Sequence, residues 1–264
     1  MKTKGLIIGA LIALVMLGSC GGNSNKKKVV KGEDAVTQKV INYPIPTAYE
    51  VTNLINRSGA AYVIGVTNPI DRVERYLTES QKALNVGVYG ADLAYVSTYN
   101  MKQETMNYMK ALKKLVDDLN ISTNFNTSLA RKIEDNIDNK DSLINIITNS
   151  FHDTYAFLVN NGKDDLSLMV LTGTWVEGLY LTTQVATTSV KPTDMLQVVA
   201  NQKQSLNTLV ELLEKNVQNP EIAELLLTLE PIKNEYDDVK STVSMPQALE
   251  ITSAIEKIRD NIVK

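Results

Sequence analysis

A chain of 264 residues, 44% of them hydrophobic and 22% charged, is long and apolar enough to bury a substantial core. Its single cysteine excludes an internal disulfide and dithiol redox chemistry. The net charge of −3 conceals an acidic body, because residues 41–264 carry 28 acidic against 20 basic side chains; a net of −8 without a basic stripe excludes nucleic acid as a partner, since phosphate neutralisation supplies most of that affinity.

At the N-terminus, Lys2 and Lys4 precede an apolar run from Gly5 to Leu17 that ends in Leu17-Gly18-Ser19-Cys20. Its 13 residues fall short of the roughly 20 that span a bilayer as a helix, so the run reads as a secretory signal. The ending resembles the bacterial lipobox. That resemblance implies cleavage before Cys20 and acylation there, and two or more acyl chains make an anchor that hardly dissociates. The expected organisation is a signal peptide over 1–19, a lipidated flexible tether over 20–42 and a folded domain over 43–264. The tether is rich in glycine, asparagine and lysine. Its Lys26 to Lys28 run reads either as solvated linker or as a contact with anionic lipid.

Beyond Tyr43 the prolines punctuate the chain. Six of the seven are followed within four residues by an acid, which is how helices begin: proline fits the first helical turn and early acids suit the positive end of the helix dipole. Asn68, Asp141, Thr193 and Asn219 are candidate caps, and Gly59 and Gly162 candidate stops. Apolar spacing of three and four predicts helices at about 46–58, 69–85, 91–119, 127–139, 142–160, 165–187, 193–216, 220–229, 232–242 and 246–263. Strand signals are nearly absent and no heptad is sustained. The fold class is therefore all-α, a single multi-helix bundle of helical hairpins.

Conventional constellations of chemistry do not form. His152 is the only histidine, too few for a histidine-rich zinc site, and no Gly-x-Ser-x-Gly elbow accompanies it, so it reads as a partly buried or surface residue on an amphipathic helix. The acid pairs Asp117-Asp118, Asp164-Asp165 and Asp237-Asp238 read as solvated or capping residues. No catalytic residue, metal ligand or cofactor is nominated.

Two stretches stand apart. In "LNVGVYGADLAYVSTYN", residues 84–100, Asp92 lies among apolar and tyrosine side chains. Either the chain breaks at Gly87 to Gly90 and Asp92 caps the next helix, or one helix runs through, with a seam of small residues and Asp92 beside Tyr89 and Tyr95. In "LMVLTGTWVEGLYLTTQVA", residues 168–186, an almost wholly apolar helix holds Trp175, Glu177, Gly173 and Gly178. Such a helix belongs at the centre of the bundle. Its glycines predict a close neighbour, and its glutamate must find a partner or stay protonated. Asp92, Tyr95, Trp175 and Glu177 are the candidate ligand-binding residues.

These stretches, with "NKDSLINII" between them, resemble a set of helical lipoproteins of Gram-negative gut and environmental bacteria. The resemblance covers most of the domain and implies no catalytic or binding residue. The tether starts "GGNSNKKK", whereas surface-exported lipoproteins of such bacteria tend to carry acids soon after the lipidated cysteine, which leans towards the periplasmic face of the outer membrane. The expectation is a membrane-anchored envelope protein that serves as a non-catalytic binding or scaffold protein, with an envelope protein or a small molecule as its ligand. The alternative is an envelope enzyme acting through carboxylates and tyrosines near Asp92 and Glu177.

Overall fold

A computed structural model describes residues 42–121, 124–189 and 192–264; the side chains of residues 124–127, 187–188 and 192 are not described. The signal segment, Cys20 and nearly all of the tether lie outside the described residues. The described residues belong to one compact unit, Gln38–Lys264. They form α-helices and one 3-10 helix, with no strand among them, so the all-α expectation is met. None of these helices is long and apolar enough to cross a membrane.

The helices are α1 (Ala48–Arg57), α2 (Glu79–Thr98), α3 (Lys102–Asp118), α4 (Asn124–Asp135), α5 (Lys140–Asn160), α6 (Asp164–Thr188), α7 (Pro192–Glu214), α8 (Pro220–Asp237) and α9 (Met245–Val263), with the 3-10 helix Ile70–Arg75 between α1 and α2. The most extensive packing is between α2 and α6. α1 crosses both, α3 lies on α2, α5, α7 and α9 lie on α6, and α8 sits against α7 and α9. α2 and α6 are central because they are apolar on nearly every side, so only burial on all faces satisfies them.

Local chemistry explains most boundaries. Thr47 with Glu50, Thr78 with Gln81, and Ser244 with Gln247 form capping boxes, and Asn219 caps α8 as expected. The expected stops at Gly59 and Gly162 adopt φ of 76° and 67°.

Several expectations need correction. The predicted 69–85 helix is a short 3-10 turn followed by a fresh start at Thr78, and Asn68 does not cap it but is buried, donating from Nδ2 to Tyr76 Oη at 2.8 Å. The predicted 91–119 helix is two helices. Apolar spacing runs straight across residues 99–101, but Asn100 takes φ of 58° and Met101 N–H returns to Val96 O at 2.9 Å, closing α2 with an asparagine where glycine is the commoner signal. The two helices predicted over 220–242 are one, because α8 continues through Pro231. Proline there removes the bond to the Leu227 carbonyl, and Leu227 lies on an exposed face where water can replace it. Asn139, not Asp141, caps α5, and Thr193 lies inside α7.

Candidate functional site

The break at Gly87 to Gly90 does not occur. α2 is continuous, and the glycines serve a helix crossing: a Cβ on Gly87 would strike the Val170 carbonyl and the Thr174 amide, and one on Gly173 the Leu84 carbonyl. Mutual indentation at these two positions brings the α2 and α6 backbones together, a geometry only glycine permits. Gly90 makes room for the Phe151 ring, whose Cε1 would lie 3.1 Å from an added Cβ. Gly178 departs from the expectation, because nothing lies within 4 Å of its Cβ position.

This close crossing carries Asp92 of α2 to Glu177 of α6, so the two acids meet. Both are fully buried, with 0% exposure, and Asp92 is therefore a mid-helix interior residue rather than a cap. A third group completes the cluster. Arg259 of α9, 7% exposed, donates from Nε to Glu177 Oε2 at 2.6 Å and from Nη2 to Glu177 Oε1 at 2.9 Å, a two-point guanidinium–carboxylate pair. Its guanidinium carbon lies 4.1 Å from the centre of the Tyr180 ring.

Two acids and one guanidinium in a dry interior would leave one uncompensated negative charge. Burial, and then the neighbouring Glu177 charge, push the Asp92 carboxyl well above the ordinary carboxylate range, against the opposing pull of Arg259 and the Asn68 amide. The buried Asp92 carboxyl is thus biased towards its protonated form. Its Oδ2 accepts from Asn68 N–H at 3.0 Å, while Oδ1 has no donor among the described residues.

The outer layer of the site is built from tyrosines, and it serves the long connection between α1 and α2. Tyr95 Oη accepts from Val63 N–H at 2.9 Å, Tyr99 Oη donates to Ala60 O at 3.0 Å, Tyr108 Oη to Asn68 O at 2.9 Å and Tyr89 Oη to Pro69 O at 2.8 Å. Arg259 Nη2 donates to Val66 O at 3.3 Å. With the bond from Asn68 N–H to Asp92, six backbone groups between residues 60 and 69 are satisfied by side chains of α2, of its C-cap Tyr99, of α3 and of α9. An irregular segment must place its backbone polar groups somewhere, and here buried side chains replace a helix or sheet ladder. The rings also pack on one another: Tyr62 stacks on Tyr95 with centroids 5.2 Å apart, and Tyr95 meets Tyr99 edge-on at 5.1 Å. Burial raises all these phenols, Tyr99 to about 12, so they are neutral hydrogen-bonding groups over the physiological range.

Of the residues nominated from sequence, Asp92, Tyr95 and Glu177 contribute to this network. Trp175 does not share their direction, since positions 175 and 177 leave a helix on opposed sides; it is buried with its Nε1 unpartnered among the described residues. Neither Arg259 nor Asn68 is among the site residues nominated from sequence. Arg259 has a faint signal, as a lone basic residue on the stripe Ile251, Ile255, Ile258, Ile262 of α9. Asn68 has none beyond its proline.

Near the crossing, a cavity of about 40 Å³ is lined by residues that include Tyr43, Gly90, Phe151, Val170 and Leu171. It does join the two glycine-containing segments. A space of that size is well below the roughly 150 Å³ that admits a benzene ring. His152 lies on the surface and stacks on Tyr43, centroids 5.4 Å apart. The acid pairs sit on helix ends, where Asp118 meets Lys82 and Lys114, and Asp165 accepts from Asn219.

Comparisons with protein-family models, with curated proteins and with solved structures found no match to this chain.

Proposed function

We propose that the protein is a lipid-anchored component of the cell envelope, held by acyl chains on Cys20 at the periplasmic face of the outer membrane, and that its helical domain is a non-catalytic binding scaffold. The observation that supports this reading is the destination of the interior polar groups. Asp92, Glu177 and Arg259 are closed from solvent, and with the tyrosines they fix the backbone of a surface connection. That is the investment a scaffold makes in presenting a rigid loop.

The opposing reading, chemistry at the Asp92–Glu177 carboxyl pair, gains from the two acids being neighbours. It would require a substrate to reach groups with 0% exposure, so the scaffold reading is preferred. The test of the anchor is a Cys20→Ala variant of the full chain. It is expected to move from the membrane to the soluble fraction and to lose metabolic acyl labelling; retention in the membrane, or labelling that persists, overturns the anchor.

A further inference from the structure

We infer that the connection between α1 and α2 is a lipid-contacting surface, in which Ile64 at the loop tip, with Tyr62 behind it, seats in the interfacial layer of a neutral bilayer. The inference rests on the lipid-anchored reading, because the affinity of one loop is useful only to a domain already held near the membrane.

Three observations carry it. First, residues 58–70, "SGAAYVIGVTNPI", contain no charged side chain in a chain that is 22% charged. Ala61, Ile64, Pro69 and Ile70 are nonetheless exposed to solvent. Second, Ile64 is 88% exposed, the most exposed large hydrophobic residue among those described, and it stands on a turn whose next residue, Gly65, takes φ of 78°. The turn points an aliphatic side chain outward where a polar one would cost nothing. Third, the loop is not loose. Six backbone bonds to buried and half-buried side chains, and the stacking of Tyr62 on Tyr95, hold the tip in place, so little ordering entropy remains to be lost on contact.

Charge chooses the occupant. An acidic body is repelled by an anionic surface, whereas a charge-free loop enters a zwitterionic interface without a desolvation penalty for ions. Tyr62 is half-buried, an apolar ring with a polar tip, and such rings favour the headgroup level. One isoleucine binds only weakly on its own, but an acyl tether raises the local lipid concentration enough for a weak contact to be occupied.

The test uses the acylated full chain reconstituted into vesicles of phosphatidylcholine and phosphatidylethanolamine. With Cys20 blocked by its acyl group, Ile64→Cys supplies one free thiol for an environment-sensitive nitrobenzoxadiazole label, and Lys233→Cys on an exposed position of α8 is the control. The expected result is a blue-shifted emission and quenching by spin-labelled lipid at position 64 and neither at 233. Adding Ile64→Asp to a chain labelled at Ala61→Cys should cut the membrane-inserted population roughly tenfold. A reconstituted protein whose label at 64 stays in water overturns the loop inference and leaves the anchor standing. A chain that never reconstitutes because it is not acylated overturns the anchor and the inference together. Because Ile64 makes no part of the core, none of these outcomes is confounded by loss of fold.

Discussion

Arg259 on α9 and Glu177 on α6, 82 residues apart in the chain, form a buried two-point ion pair at 2.6 and 2.9 Å that also places the guanidinium on the Val66 carbonyl. The pair fastens the last helix to the central one and the α1–α2 connection to both. A buried pair of this kind adds little over well-packed apolar residues, but breaking it leaves a charge stranded.

Removing one partner should therefore cost far more than removing both. Glu177→Gln or Arg259→Met is expected to destabilise the domain by about 3–5 kcal/mol. The double variant Glu177→Gln, Arg259→Met should lose much less than the sum, retaining a residual penalty of about 1–3 kcal/mol for the unpaired Val66 carbonyl. Denaturant unfolding of the three variants measures this directly, and additive losses would mean that the groups do not act as a pair.

Asp92 makes stability depend on pH in an unusual direction for an acid. Burial raises its folded pKa above the unfolded value of about 3.9, so the native state holds a proton that the unfolded chain has released. Its contribution is complete below about pH 4 and is lost as pH rises towards the folded pKa, at up to about 1.4 kcal/mol per pH unit. The Asp92→Asn variant keeps an acceptor for the Asn68 amide and a donor for Glu177 without titrating. Relative to this variant, the natural protein should lose stability steadily from pH 4 upward. A pH-independent difference between the two would show that Asp92 is ionised in the fold.

The glycines of the two central helices should separate cleanly by substitution. Gly87→Ala and Gly173→Ala drive a methyl group into facing backbone, which cannot yield like a side chain, so each is expected to cost more than about 3 kcal/mol. Gly178→Ala enters open space within a helix and should gain up to about 1 kcal/mol. Thermal unfolding of the three variants is sufficient to rank them.

Tyr95→Phe should loosen the loop without unfolding the domain. It removes the acceptor for Val63 N–H while keeping the ring stack with Tyr62, at a cost of about 1–2 kcal/mol. Hydrogen exchange is the sensitive readout: the Val63 amide should lose protection while amides in the middle of α6 retain theirs. Unchanged exchange at Val63 would mean that the tyrosine does not hold this backbone.

Much of the architecture follows from local chemistry and can be read without a structure. Helical apolar spacing, the Asn219 cap and the stops at Gly59 and Gly162 depend on residues three or four apart, and so does the inference that the helix around Trp175 is central. Where local signals mislead, a non-local contact changes their meaning. Gly87 and Gly90 look like a helix break because glycine weakens an isolated helix, yet in α2 they are where α6 and Phe151 come close. Pro231 looks like a helix start, yet packing of α8 against α7 and α9 carries the helix through it.

An apolar helix offers a carboxylate no solvation, so the residues around Glu177 already require a partner for it. The fold supplies that partner as Arg259 on α9 and sets Asp92 beside the pair, where burial raises its pKa. The difference is one of range. Spacing along one helix fixes which side chains share a face, but which faces meet is set by the backbone approach at Gly87 and Gly173, and no periodicity in the chain encodes the pairing of residues 82 positions apart.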